Sequence, residues 1–285
     1  MRVLFLIPGG SASQLQAIPA VAAVVDQLHA QVQVVCPTAA APIWSLLPQL
    51  HHVLPFGTEE DDGFGGRNSL ADWANLLGQV RDPDFQACIN LAHGRDLDLM
   101  LSMTHIPTRI ATGGFALTER VALAATGWPN QNLESFLAPL GIRLEAGAYR
   151  LTLPRPLLEQ AVAELPPGDG PALLMAPSGS EGDWPADRWH GLPDQVRLKL
   201  PSLRVVLANQ QASPLERAAA VAAADVVLAS DPATIELALL TGTPLVALGC
   251  SGDSLPARQG VQGVGSKAAL DRLSVDEVLQ VLGLG

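Results

Sequence analysis

Lysine is scarce in this chain of 285 residues, which contains only Lys199 and Lys267 and carries a formal net charge of −11. Nucleic acids and anionic membranes recruit proteins through surface lysine and arginine. The shortage of positive charge therefore argues against nucleic acid or an anionic membrane as the main partner. It does not exclude a local basic patch.

Cysteine and metal-binding patterns are sparse as well. The three cysteines, Cys36, Cys88 and Cys250, are odd in number and far apart, so they indicate neither a disulfide framework nor a zinc site. The six histidines show no His-x-x-x-His or Glu-paired spacing. We therefore expect the cysteines to be small buried apolar residues, and we expect no catalytic metal.

Long hydrophobic runs are missing from the start of the chain. The first apolar run, Val3–Ile7, is far shorter than a signal-peptide core or a membrane span. The sequence therefore predicts a cytoplasmic protein.

The sequence does contain a regular alternation of predicted strands and helices. Short apolar runs typical of buried strands open each half, at Val3–Ile7 and Ala172–Met175, and the Pro- and Gly-rich stretch 166–170 separates the halves. This pattern predicts an α/β fold of two Rossmann-like βα domains, 1–165 and 171–285, that face each other across a cleft.

The segment 225–249 is the most informative part of the chain. Its apolar runs Val226–Ala229 and Leu245–Leu248 predict two buried strands. Between them we expect a helix that begins at Pro232, a favoured first helical residue, and ends at Gly242.

The start of this predicted helix is a candidate phosphate site. Ser230 or Asp231 can cap it, and a helix that opens at the carboxyl end of a parallel strand directs N–H groups and its positive dipole end toward an anion. Many strand–helix–strand units bind no ligand, so the pattern alone also permits a purely structural unit.

Two other glycine-rich stretches do not match established motifs. Gly9–Ser13 follows the first strand but lacks the Gly-x-Gly-x-x-Gly spacing of a dinucleotide site. Gly260–Lys267 resembles a P-loop, but Ser266 separates the last glycine from the lysine and no strong apolar strand precedes it. We interpret it as a loop.

Four segments together resemble glycosyltransferase family 9, the heptosyltransferases of lipopolysaccharide assembly, which have the two-Rossmann GT-B fold. The resemblance spans nearly the whole chain. The segments are Met1–Leu4 through Ile18–Ala20, Ile89–Leu91 to Arg109–Ile110, Met175–Gly179 followed by Trp184–Trp189, and 225–249.

The resemblance implies a nucleotide-sugar donor bound mainly to the C-terminal domain and an acceptor bound to the N-terminal one, with no metal and no cofactor. It places the acceptor-side loop at Gly9, Gly10 and Ser11. It places donor-binding residues at Ser178, Gly179, Arg188, Ser230, Asp231, Thr234 and Glu236.

The chain departs from the family pattern at the expected catalytic base. The aspartate that the resemblance implies as general base falls on Ser13, and a serine hydroxyl needs a second base to activate it near neutral pH. The family's phosphate-neutralising lysine falls on Gly182. Arg188 could replace part of that charge, although a structural role at its helix start is the commoner one.

The family's Asp-Thr-Gly-x-x-His motif is also altered, since it becomes Asp231–Glu236 in this chain. Pro232 removes one backbone donor, Ala233 adds a Cβ where glycine would let phosphate approach, and Glu236 replaces a histidine with a negative charge. If Glu236 faces the cleft, diphosphate binding should be weak.

Two functions remain open. One is a homologue with weakened or lost activity that acts as a binding or assembly protein, with a protein as partner. The other is an active, divergent, metal-independent glycosyltransferase that uses a nucleotide-diphosphate sugar. Such an enzyme would be cytoplasmic or peripheral to the inner membrane, and it would take its base from His51, His52 or the acidic run Glu59, Glu60, Asp61 and Asp62.

Overall fold

A computed structural model describes residues 1–57, 64, 68–81 and 84–284 of the chain. The chain forms two compact units. The first comprises Met1–Ala125 and Pro129–Tyr149, and the second comprises Thr126–Trp128 and Arg150–Gly285.

The first unit contains a six-stranded sheet within its described residues, and the paired strands are parallel. The spatial order is β3-β2-β1-β4-β5-β6. Pro55 is tolerated in β3 because that strand lies at the edge of the sheet. The strands are β1 (Arg2–Leu6), β2 (Gln31–Pro37), β3 (His52–Phe56), β4 (Ala87–Asn90), β5 (Thr108–Ala111) and β6 (Glu119–Arg120).

Helices follow the strands of this unit as the α/β pattern requires. One core lies between α2, α3 and the sheet, where aromatic and aliphatic residues such as Trp73, Met100 and Leu6 are buried. The helices are α1 (Ser11–Leu28), α2 (Leu70–Arg81), α3 (Arg95–Ser102), α4 (Pro129–Asn132) and α5 (Glu134–Leu137), with 3-10 turns at Thr38–Leu46 and Ala138–Leu140.

The second unit contains a five-stranded parallel sheet in the order β11-β10-β9-β7-β8. Its strands are β7 (Ala172–Ala176), β8 (Arg204–Leu207), β9 (Val226–Ala229), β10 (Leu245–Leu248) and β11 (Val261–Val264). Its helices are α6 (Arg155–Ala163), α7 (Ala186–Lys199), α8 (Pro214–Ala223), α9 (Pro232–Thr241) and α10 (Val275–Val281), with 3-10 turns at Gly252–Ser254 and Lys267–Arg272.

The Pro- and Gly-rich stretch 166–170 lies inside the second unit. Arg204 ties it to the sheet, because its Nε donates to the carbonyl oxygen of Gly170 at 2.6 Å. The preceding helix α6 packs on α8. These contacts explain why the second unit begins at Arg150 rather than after the stretch.

The prediction that Gly260–Lys267 is a loop is wrong in part. Val261–Val264 forms the edge strand β11, which pairs with β10. Only two of its four residues are strongly apolar, so hydrophobicity alone does not reveal a strand that is exposed on one edge.

The predicted α/β class with two Rossmann-like sheets is confirmed. Each sheet reverses its strand order beside its first strand, between β1 and β4 in the first unit and between β7 and β9 in the second. In parallel α/β sheets, ligands bind beyond the carboxyl ends of the strands at this switch point. The loops that follow these four strands are therefore where a site is expected.

Candidate functional site

The predicted helix start after β9 is present as the sequence indicates. Asp231 is the N-cap of α9, Pro232 is its first residue, and Gly242 ends it in the left-handed conformation with φ of 85°. The sequence therefore predicted this helix and its cap correctly.

The cap at this helix start is occupied by the protein's own carboxylate. Oδ2 of Asp231 accepts hydrogen bonds from the backbone N–H of Thr234 at 2.8 Å and from its hydroxyl at 2.5 Å. Nη2 of Arg217 forms an ion pair with the same oxygen at 3.0 Å. Arg217, which the sequence reasoning missed, thus neutralises the charge of Asp231.

The other backbone donors at this strand end have internal acceptors too. The N–H groups of Ser230 and Asp231 both donate to the carbonyl oxygen of Ala176, at 3.0 and 3.1 Å. The hydroxyl of Ser230 accepts from the N–H of Ser178 at 2.9 Å. These bonds bring together the predicted residues of the loops after β7 and β9, at the switch point of the second sheet.

A second internal carboxylate closes the loop after β7. Asp183 accepts hydrogen bonds from the backbone N–H of Gly179 at 3.0 Å and from that of Trp184 at 2.7 Å. The hydroxyls of Ser178 and Ser180 bond to each other at 2.7 Å. The N–H of Gly179, predicted to bind a donor, is therefore directed at Asp183.

Arg188 makes structural contacts. Its Nη1 donates to the carbonyl oxygens of Asp271 and Leu273, at 2.7 and 2.6 Å. Nε1 of Trp184 also donates to Leu273, at 2.8 Å. Arg188 thus ties the start of α7 to the segment before α10, which is the commoner role for an arginine at this position.

Glu236 is buried in α9, with 6% of its surface exposed. Burial, followed by the negative charge of Glu236, raises the pKa of the Cys250 thiol. The glutamate therefore lies near Cys250 rather than in solvent.

The acceptor-side loop of the first unit is tightly built. Gly9 has φ of 84°, and a Cβ at this position would lie 2.5 Å from Oγ of Ser13, so only glycine fits there. Ser13 lies half-buried in the first turn of α1. No side chain of the described residues hydrogen-bonds to the hydroxyl of Ser13. Among these residues, the structure therefore places no activating base within hydrogen-bond distance of it.

Gln14, the next residue, anchors this loop and was missed from the sequence. Its fully buried amide Nε2 donates to the carbonyl oxygens of Ile7 at 3.1 Å and Gly9 at 3.0 Å. Its Oε1 accepts from Nε1 of Trp44 at 3.1 Å. The only sequence signal for this anchoring role was a polar residue, Gln14, among the apolar residues of α1.

The two histidines proposed as alternative bases are not brought to Ser13. His51 precedes β3 and His52 begins it, so they lie toward the amino ends of the strands, whereas the Gly9–Ser13 loop follows a carboxyl end. The acidic residues Glu59 to Asp62 lie outside the described residues.

A different histidine does lie at the switch point. His93 follows β4, the neighbour of β1, and its Nε2 is 3.5 Å from the hydroxyl of Thr112. Its side chain is exposed. Its spacing matches no motif, so it was not predicted as a site residue.

Within the described part of the chain, no group of three or more His, Cys, Asp or Glu residues is placed to hold a metal ion. None of its helices combines the length and the apolar character needed to cross a membrane.

No protein-family model and no curated protein matches the sequence. Solved structures do match its fold. A glycosyltransferase family 9 protein from Veillonella parvula is 14% identical with a TM-score of 0.77, and the match covers 99% of this chain and 96% of that one.

Two Escherichia coli proteins are similar to the same degree. ADP-heptose LPS heptosyltransferase II is 16% identical with a TM-score of 0.74, covering 99% of this chain and 98% of its own. Heptosyltransferase WaaC, solved with ADP-2-deoxy-2-fluoro heptose, is 15% identical with a TM-score of 0.70, covering 99% of both chains. The expected GT-B fold is therefore confirmed.

Proposed function

We propose that the chain is a homologue of the family 9 transferases that has kept the fold, has weakened or lost glycosyl transfer, and acts as a binding or assembly protein. The observation that carries this proposal is in the first loop, where Ser13 stands at the position of the implied general base and no side chain of the described residues hydrogen-bonds to its hydroxyl.

The start of α9 supports weak donor binding. Pro232 has no backbone N–H, and the N–H of Thr234 bonds to Asp231, so the first turn of α9 offers a diphosphate fewer donors than a free helix start does. Arg217 already balances Asp231, so it offers the ligand less net positive charge.

The first loop supports weak catalysis. Ser13 occupies the position where the resemblance implies a general base, and no described side chain activates it by a hydrogen bond. The loss of a positioned base typically costs about 10²- to 10⁴-fold in rate. Residual transfer would therefore be slow even if a donor were bound.

His93 favours the alternative, an active divergent glycosyltransferase. Its exposed imidazole lies at the switch point of the first sheet, and histidine is the side chain that most often serves as a general base near neutral pH. In that case His93 replaces the missing aspartate in accepting the proton of the acceptor hydroxyl.

Calorimetry with ADP, ADP-heptose, UDP-glucose and GDP-mannose tests the proposal. We expect no saturable heat up to about 1 mM ligand, equivalent to a binding free energy weaker than about −4 kcal/mol. E. coli heptosyltransferase II serves as the positive control for ADP-heptose. Micromolar binding of any diphosphate donor, or turnover that His93→Ala abolishes, would establish the active transferase instead.

A further inference from the structure

A cavity of about 150 Å³ lies in the first unit, at the amino ends of its strands. Arg2 and Gln31 are the first residues of β1 and β2, and His51 and Phe85 come shortly before β3 and β4. The fifth lining residue is Gln33, in β2. The candidate site described above follows the carboxyl ends of the strands, so this cavity is separate from it.

Gln33 is the residue that points to a ligand. Its surface is only 7% exposed, and within the described residues its side-chain amide makes no hydrogen bond. Buried side-chain amides almost always have a partner, because an unpaired donor or acceptor loses its water without compensation. A molecule in the cavity would supply the partner that this amide lacks.

Arg2 supplies a positive charge at the exposed mouth of the cavity. Its Nε donates to Oε1 of Gln31 at 3.1 Å. Within the described residues, its Nη1 and Nη2 make no hydrogen bond or ion pair, so the end of the guanidinium keeps two parallel N–H donors. Nε2 of Gln31 is a further donor, and no carboxylate among the described residues lines the cavity. These groups match the carboxylate of a ligand.

The strand register sets the distance between the charge and the buried amide. Arg2 pairs with Gln31 in the ladder of β1 and β2. Gln33 lies two residues further along β2 and on the same face of the sheet, since side chains alternate between the faces. Two residues of strand span about 7 Å. The two groups are thus separated by about the length of one substituted aromatic ring.

The wall and the size of the cavity fit such a ring. Phe85 is buried in the apolar core that includes residues of α2 and α3, so it presents an aromatic surface. The N–H of Gln86 donates to the carbonyl oxygen of Arg2 at 3.0 Å, which fixes Phe85 beside the start of β1. A cavity of about 150 Å³ accepts benzene, and it is too small for a nucleotide sugar.

We propose that this cavity binds a single-ring aromatic carboxylate that carries a hydroxyl group opposite the carboxylate. The carboxylate binds the two Nη groups of Arg2, the ring lies against Phe85, and the hydroxyl bonds to the amide of Gln33. Because Arg2 is the one arginine or lysine in the described lining, a singly charged carboxylate is matched better than a doubly charged phosphate.

Saturation-transfer NMR titrations of the full chain with 4-hydroxybenzoate test the proposal. Two matched probes accompany it: 4-hydroxybenzamide, which has no charge, and benzoate, which has no hydroxyl. We expect 4-hydroxybenzoate to bind with a Kd below about 5 mM and each matched probe to bind at least about threefold more weakly. A smaller difference for either probe, or no saturable binding of 4-hydroxybenzoate, overturns the proposal.

Two variants locate the ligand. Gln33→Leu removes an unpaired amide, so it should fold at least as stably as the native chain, yet it should bind 4-hydroxybenzoate no better than benzoate. Arg2→Gln removes the charge and should weaken binding of 4-hydroxybenzoate at least about threefold, while binding of 4-hydroxybenzamide stays unchanged. Arg120→Gln, in the exposed strand β6, makes the same change of charge and is the control.

Thermal melting shows whether each variant is folded, and the comparison of the three probes on the native chain stands without the variants. Unchanged affinity for 4-hydroxybenzoate in folded Gln33→Leu or in folded Arg2→Gln places the ligand elsewhere and overturns the proposal. The proposal does not depend on the proposed loss of glycosyl transfer, because its probes carry neither a sugar nor a diphosphate.

Discussion

Asp231 and Arg217 form an ion pair of 3.0 Å in which each side chain is less than one-fifth exposed. The carboxylate also caps α9 through the N–H of Thr234. The same oxygen of Asp231 therefore bonds to Arg217 of α8 and caps the first turn of α9. A change at Asp231 affects both the contact between these helices and the cap.

Replacing Asp231 with alanine should lower the free energy of unfolding by about 2–4 kcal/mol. The substitution removes a helix cap, typically worth about 1 kcal/mol, and leaves the partly buried Arg217 without its counter-ion. Urea denaturation measures the loss. Asp276→Ala, in the exposed first turn of α10, is the control and should change stability far less.

Asp231→Asn separates the two contributions. Asparagine caps helices about as well as aspartate does, so this variant should recover part of the stability while the charge stays lost. If it is as unstable as the alanine variant, the ion pair alone accounts for the effect and the cap contributes nothing.

Replacing Gln14 with leucine should destabilise the first unit by about 2–4 kcal/mol. Leucine fits the volume but leaves the indole N–H of Trp44 and the carbonyls of Ile7 and Gly9 without their buried partner. Chemical denaturation followed by tryptophan fluorescence reads the change. Gln280→Leu, on the exposed side of α10, should be nearly neutral; an equal loss in both would contradict the role of the buried amide.

Local sequence signals predicted the second unit's helix start, because strand, cap, proline and glycine lie within one short segment. The three side chains that close the loops could not be predicted in this way. Arg217 pairs with Asp231 across 14 positions of sequence, and Gln14 meets Trp44 across 30. Asp183 bonds to the backbone of its near neighbours Gly179 and Trp184, but no helix or strand pattern marks that contact. Hydrophobic periodicity carries no information about such pairs.

Arg188→Met should lower the free energy of unfolding by about 1–3 kcal/mol, because the bonds to the carbonyls of Asp271 and Leu273 are lost. Arg197→Met, which removes an exposed pair with Asp194, is the control and should change stability far less. An Arg188→Met variant as stable as the Arg197→Met control would contradict the structural role.

Burial of two thiols predicts a loss of stability in alkali. Desolvation raises the pKa of both Cys36 and Cys88 from 9.0 to about 12. Between pH 9 and 12 the unfolded state releases protons that the folded state keeps. The free energy of unfolding should therefore fall as pH rises above 9, by at most about 1.4 kcal/mol per pH unit for each thiol.

Urea titrations between pH 8 and about 9.5 measure this slope while Tyr149, whose ordinary pKa is 10.0, is still mostly protonated in the unfolded state. The double variant Cys36→Ala/Cys88→Ala should be less stable at pH 8 but should show a shallower decline. Both thiols should also resist Ellman's reagent at pH 8 in the folded protein and react fully in urea, since the thiolate is the reactive form. An unchanged slope in the double variant, or fast labelling of the native protein at either position, would contradict the burial that the fold assigns to them.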